Sequence, residues 1–85
     1  MAKILIVDDE PRIRELIREN LQYSGYTCEE AGDGSAALSL LTGGGYDLVI
    51  LDLMMPFMDG MQLCEAVSHT MPWVQIVILS GYEDV

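Results

Sequence analysis

No lysine or arginine follows Arg18. The four cations of the chain are Lys3, Arg12, Arg14 and Arg18, set against fourteen acids in 85 residues, for a formal net charge of −10. Asp8, Asp9, Glu10 and Glu15 neutralise the first eighteen residues, so the whole net charge lies beyond them. A chain this acidic, with no basic stripe, lacks the electrostatic footprint of a nucleic-acid binder. No apolar run approaches the roughly 20 residues of a membrane span. Met1-Ala2-Lys3 leads through a short apolar run straight into charge, without a signal-peptide cleavage pattern. The two cysteines, Cys28 and Cys64, are isolated and lack metal-ligand spacing, so they are expected as reduced thiols in a cytoplasmic protein. Half of the chain is hydrophobic, which excludes disorder.

Three short apolar runs are present: Ile4–Val7, Leu48–Leu51 and Ile76–Leu79. Each is rich in branched side chains, and none alternates with polar residues. That is the pattern of parallel strands buried on both faces. A fourth segment, Tyr26–Ala31, is partly polar and suits a sheet edge. Helical stretches separate the strands. After Pro11, which suits a first helical turn, Ile13, Leu16, Ile17 and Leu21 recur at helical spacing, with Arg12, Arg14, Glu15, Arg18 and Glu19 opposite. Glu10 and Glu15 are within reach of Arg14 and Arg18 for short-range surface pairs. Gly25 is the expected stop. Asp33 is the expected N-cap of a second helix through Ala37, Leu38 and Leu41, ended by Gly43-Gly44-Gly45. Asp59 is positioned to cap a third, with Leu63, Cys64 and Val67 inward, ending before Pro72. The order is β-α-β-α-β-α-β in one domain, with right-handed crossovers and helices on both sheet faces.

In such folds ligands bind at the carboxyl ends of the strands. Asp8-Asp9-Glu10 follow the first apolar run, Asp52 the second and Ser80-Gly81 the third. Acids after strands often only solvate a loop or cap the next helix. Carboxylates from two different strand ends of one sheet are a stronger signal. Crowded carboxylates raise one another's pKa, and a hard divalent cation reverses that repulsion. Two carboxylates, a backbone carbonyl and waters make a suitable Mg²⁺ ligand set. His69, the only histidine, falls near a helix end away from the acidic rim and reads as a surface residue. The methionines around Asp52 read as packing filler, and Trp73 as packing before the fourth strand. Gly43–Gly45 lacks the Lys-Ser or Lys-Thr of a phosphate-binding loop.

Four motifs in register carry a family resemblance: Ile4-Leu5-Ile6-Val7-Asp8-Asp9-Glu10-Pro11, Asp47 through Pro56, Met58-Asp59-Gly60, and Ile78-Leu79-Ser80-Gly81. Together they resemble the receiver domain of two-component response regulators, from Lys3 to the end of the chain. The resemblance implies a flavodoxin-like doubly wound parallel sheet of order 2-1-3-4. It implies Asp52 as phosphoacceptor, charged from a phosphohistidine on a sensor histidine kinase. It implies Asp9 as a direct Mg²⁺ ligand, Asp8 acting largely through water, Asp52 and the backbone carbonyl of Met54 as further ligands, and Ser80 as hydrogen-bond donor to a phosphoryl oxygen. Pro56, Asp59 and Gly60 would shape the loop beyond Asp52. The domain would be a signalling module rather than an enzyme, capable at most of slow self-dephosphorylation.

Receiver domains have five strands and five helices, so residues 1–85 are expected to be the N-terminal part of one such domain, short of the fifth strand and last two helices by about 35–40 residues. The family lysine at the end of the fifth strand has no counterpart, and phosphorylation is expected to be slow or weakly coupled to a switch. The fourth strand is expected to lie at an edge, covered by a second copy in a homo-oligomer. Two alternatives compete: a signalling-incompetent fragment that oligomerises through this edge, and an aspartyl-nucleophile phosphatase. The second needs an aspartate two residues after the nucleophile, where this chain has Met54.

Overall fold

The computed structural model describes residues 2–52 and 60–79. In chain order it contains β1 (Lys3–Val7), α1 (Pro11–Tyr23), β2 (Thr27–Ala31), α2 (Gly34–Thr42), β3 (Leu48–Asp52), α3 (Gly60–Thr70) and β4 (Gln75–Leu79). The strands form one sheet of order β2-β1-β3-β4, and every pair is parallel. This is the expected flavodoxin-like arrangement. The chain's first strand is central because parallel neighbours require a crossover on each side, and short helical links provide them.

The pleat of β1 divides the core. Leu5 and Val7 point to one face, where they meet Ala31, Val49 and Leu51 from the sheet, Ala37 and Leu41 from α2, and Leu63 and Val67 from α3. Ile4 and Ile6 point to the other, where Cys28, Leu48 and Ile50 line the sheet and Ile17 and Leu21 of α1 cover it. Alternate residues of a strand face opposite sides, so an unbroken apolar run serves both layers at once.

Burial does not follow hydrophobicity alone. β1 is buried on both faces. β3 is buried through Val49 and Leu51 but only half-buried through Leu48 and Ile50. β4, equally apolar, is an edge strand, with Val77, Ile78 and Leu79 about two-fifths exposed. On α1 the inward stripe narrows to Ile17 and Leu21, whereas Ile13 and Leu16 are exposed. Trp73 is 71% exposed, so it is not the packing residue expected from its position. It stands beside a cavity of about 390 Å³ formed by the ends of α2 and α3 and the Gly44-Gly45 loop.

The helix ends follow local chemistry. The Asp33 carboxylate accepts from the Ala36 amide at 2.8 Å and caps α2, a contribution of about 1 kcal/mol. Pro11 opens α1, where the missing N–H costs no helical bond. Gly25 follows the C-cap of α1 with φ of +98°, a conformation open to glycine without a Cβ penalty. α3 ends at Thr70, ahead of Pro72; the Asp59 cap lies outside the described residues.

Candidate functional site

Asp8 follows β1 directly, and Asp52 is the last residue of β3, its neighbour in the sheet. In a parallel sheet both strands deliver their carboxyl ends to the same rim, so residues 44 apart in sequence become neighbours. The carboxylates of Asp8, Asp9 and Asp52 each place an oxygen within 4.8 Å of the other two. Asp8 is buried, Asp52 half-buried and Asp9 exposed, so the cluster opens to solvent on one side. Three hard oxygen donors at this spacing could hold a hard divalent cation. Ser80 and Met54, the other two site residues expected from sequence, lie outside the described residues, as do Pro56 and Asp59. Gly60 is the first residue of α3.

Asp8 has the most constrained place. Its amide donates to the Ala31 carbonyl at 3.1 Å, and its Oδ1 accepts from the Glu10 amide at 2.9 Å. Burial pushes its carboxyl above the ordinary aspartate range, and the Asp52 and Asp9 charges push the same way, while the Glu10 N–H opposes them. Folding without a cation therefore favours the protonated acid. The native state binds more protons than the unfolded chain in the window above the ordinary aspartate pKa, so this group's contribution to stability declines as pH rises through it. In EDTA, Asp8→Asn is expected to melt higher than the wild type at pH 7. The gap should shrink as the pH falls to about 3, where Asp8 is protonated in both states. Thermal melts across that range measure it.

Two residues that sequence reasoning placed elsewhere border the site. Arg14 Nε pairs with Glu30 Oε1 at 3.0 Å, and its Nη1 donates to the backbone carbonyl of Asp8 at 2.7 Å. Arg18 pairs with the other oxygen of Glu30. The expected pairs with Glu10 and Glu15 are replaced by pairs with β2. The reason is geometric: Glu30 shares the sheet face of Cys28, which α1 covers, and it is held there between two guanidinium groups. One signal was available in the sequence: Glu30 interrupts an otherwise inward-facing position on a strand that carries Cys28 two residues earlier.

The remaining candidates fall away from the rim. Lys3 lies at the start of β1, its Nζ 4.4 Å from the Tyr46 ring centre. His69 is exposed in the last turn of α3. Cys28 and Cys64 are free thiols, and burial raises the pKa of Cys28 while Arg18 opposes the rise.

A parallel sheet with an acidic triad at the carboxyl ends of its two middle strands defines a class, and comparison with known proteins agrees with it. The model of the response regulator receiver domain family matches residues 4–85, and the chain belongs to that family, a family of signalling domains. It is 39% identical over 84 residues to the response regulator MprA of Mycobacterium sp. (strain KMS), covering 99% of this chain and 36% of that protein. The chain thus spans about a third of the curated relatives it matches. Among solved structures it is similar to the response regulator TrrA from Thermotoga maritima in complex with Mg²⁺ and BeF, with a TM-score of 0.91 and 42% identity over 98% of this chain and 72% of that one. It is equally similar to TrrA in complex with the histidine kinase ThkA, with a TM-score of 0.90 and 42% identity over 99% of this chain and 72% of that one. No helix among the described residues is long and apolar enough to cross a membrane.

Proposed function

We propose that this chain is the phosphoacceptor part of a two-component relay, in which Asp52 takes a phosphoryl group from a sensor histidine kinase. The observation that carries the reading is the convergence of Asp8, Asp9 and Asp52 within 4.8 Å at one rim of a receiver fold. A carboxylate is a competent phosphoryl acceptor when its charge is screened and the donor is held in line. An Asp52 oxygen attacks phosphorus, the bond to the donor's imidazole nitrogen breaks, and the electron pair leaves with the imidazole. The product is an acyl phosphate on β3. Asp8 and Asp9 would hold the cation together with Asp52, and a bound Mg²⁺ would supply charge neutralisation for the phosphoryl oxygens. The carbonyl of Met54 would complete the protein ligands, and the hydroxyl of Ser80 would donate to a phosphoryl oxygen. The structures of TrrA with Mg²⁺–BeF and with ThkA support both the cation and the class of phosphodonor for this chain.

The module is read as a signalling domain whose own chemistry is limited to slow self-dephosphorylation. It works in the cytoplasm, where reduced thiols are the rule, and it contacts neither membrane nor nucleic acid itself. Residues 1–85 form the N-terminal part of one receiver domain. Incubation with Mg²⁺ and acetyl phosphate tests the reading: intact mass should rise by about 80 Da, one phosphoryl group, and the gain should vanish in EDTA. An unchanged mass would count against a phosphoacceptor. Turnover of a phosphate ester would favour the phosphatase alternative instead.

A second reading concerns association. Val77, Ile78 and Leu79 on edge strand β4 are each about two-fifths exposed. An apolar parallel-sheet edge is a template for pairing with another chain. In this reading copies of the chain associate through β4, and light scattering at micromolar concentration should report a mass above that of the monomer. A folded, monodisperse monomer would rule it out.

A further inference from the structure

The Arg14 guanidinium joins two pieces of chain, the end of β1 and the end of β2. Its Nη1 donates to the Asp8 carbonyl at 2.7 Å and its Nε to Glu30 at 3.0 Å. It also lies against Gly32, where a Cβ would come within 3.2 Å of Nη1. The planar fork of an arginine holds its acceptors at a fixed mutual angle, and charge-assisted bonds of this kind are about twice as strong as neutral ones. The second oxygen of Glu30 pairs with Arg18. Asp8 is therefore tied through its backbone on both sides, by N–H to Ala31 and by C=O to Arg14. Its side chain accepts from the Glu10 amide and stands in the cluster with Asp52 and Asp9.

We infer that Arg14 is a positioning residue for the acidic site: braced by Glu30 and seated under Gly32, it clamps the Asp8 carbonyl and so sets how the Asp8 carboxylate enters the cluster. Its consequence for cation binding rests on the Mg²⁺ reading above; the clamp itself does not. The clamp runs from edge strand β2 through α1 to the rim. It orders the loop through a carbonyl and leaves the carboxylate oxygens available to a cation.

Arg18 provides the control, since it shares Glu30 with Arg14 and the hydrogen bond to Asp8 belongs to Arg14. In metal-free protein, hydrogen exchange of the Glu10 amide reports the Asp8 carboxylate, which accepts that N–H at 2.9 Å. Protection at Glu10, normalised to the core amides of Leu5 and Val49, should fall about tenfold in Arg14→Ala and stay near the wild-type level in Arg18→Ala. Gly32→Ala retains every charge but crowds the guanidinium, and it should lower the same protection. If Glu10 protection in both variants falls only in parallel with the core amides, the clamp is refuted. Calorimetric titration with Mg²⁺ should show Arg14→Ala weakened about 10–100-fold, as for other residues that orient a ligand, with Arg18→Ala unchanged. Equal affinities in the wild type and Arg14→Ala would overturn the positioning role. A wild type that binds no Mg²⁺ while Glu10 protection still depends on Arg14 would leave the clamp standing and remove the metal reading.

Discussion

Asp52→Asn protein, incubated with Mg²⁺ and acetyl phosphate, is expected to carry no phosphoryl adduct, while the wild type gains one. Asparagine keeps the shape of the side chain and removes the nucleophilic oxygen, so the loss is complete rather than partial. The variant should still fold. The Asp52 charge is among the groups that raise the Asp8 pKa, and removing a like charge relieves repulsion in the metal-free state. Asp9→Asn should behave differently. It weakens cation binding without touching the acceptor, so adduct formation slows at low Mg²⁺ and recovers as Mg²⁺ is raised. Intact-mass time courses over a Mg²⁺ series separate the two roles. An adduct that persists in Asp52→Asn would place the acceptor elsewhere.

Leu5→Ala is expected to produce the largest loss of stability. Leu5 is fully buried at the centre of β1, between the β2 and β3 neighbours and under α2 and α3. Truncating such a leucine costs about 2–5 kcal/mol, the lost transfer energy plus that of the cavity left behind. At about 0.05–0.15 kcal/mol per residue, a chain of this length has a total stability of about 4–13 kcal/mol, so the loss takes a large fraction of it. Leu16→Ala is the contrast: Leu16 is 58% exposed on α1, and substitutions on such a surface usually stay within about 0.5 kcal/mol. Urea denaturation reads both, as a large fall in the midpoint for Leu5→Ala and almost none for Leu16→Ala. Similar midpoints for the two variants would contradict the assigned core.

The site was more legible in the chain than the packing was. Asp8, Asp9 and Asp52 could be found because each follows an apolar run, and a parallel sheet delivers every such end to one rim. Their separation within 4.8 Å is then a consequence of β1 and β3 being adjacent. The partners of Arg14 and Arg18 could not be found in the same way. Helical spacing offered Glu10 and Glu15 at short range, and the choice of Glu30 depends on which face of β2 meets α1. Ile13 and Leu16 recur at helical spacing and match Ile17 and Leu21 in residue type, but only the latter pair lies against Ile4 and Ile6.

Apolar runs, stop residues and the order of strands and helices are local properties, set by side-chain shape and backbone preference, and the chain carries them without reference to distant residues. Strand count, the Asp33 cap, the Gly25 stop and the acids that follow the apolar runs all belong here. Burial is a property of neighbours. Ile4–Val7 and Ile76–Leu79 are identical in composition, yet one is the buried centre of the sheet and the other its exposed edge. The two runs themselves do not distinguish centre from edge, because a strand is buried by what lies on either side of it; that came from the order of the whole sheet. The same holds for Arg14: its charge is in the sequence, but its hold on Asp8 exists only where α1, β2 and the end of β1 come together.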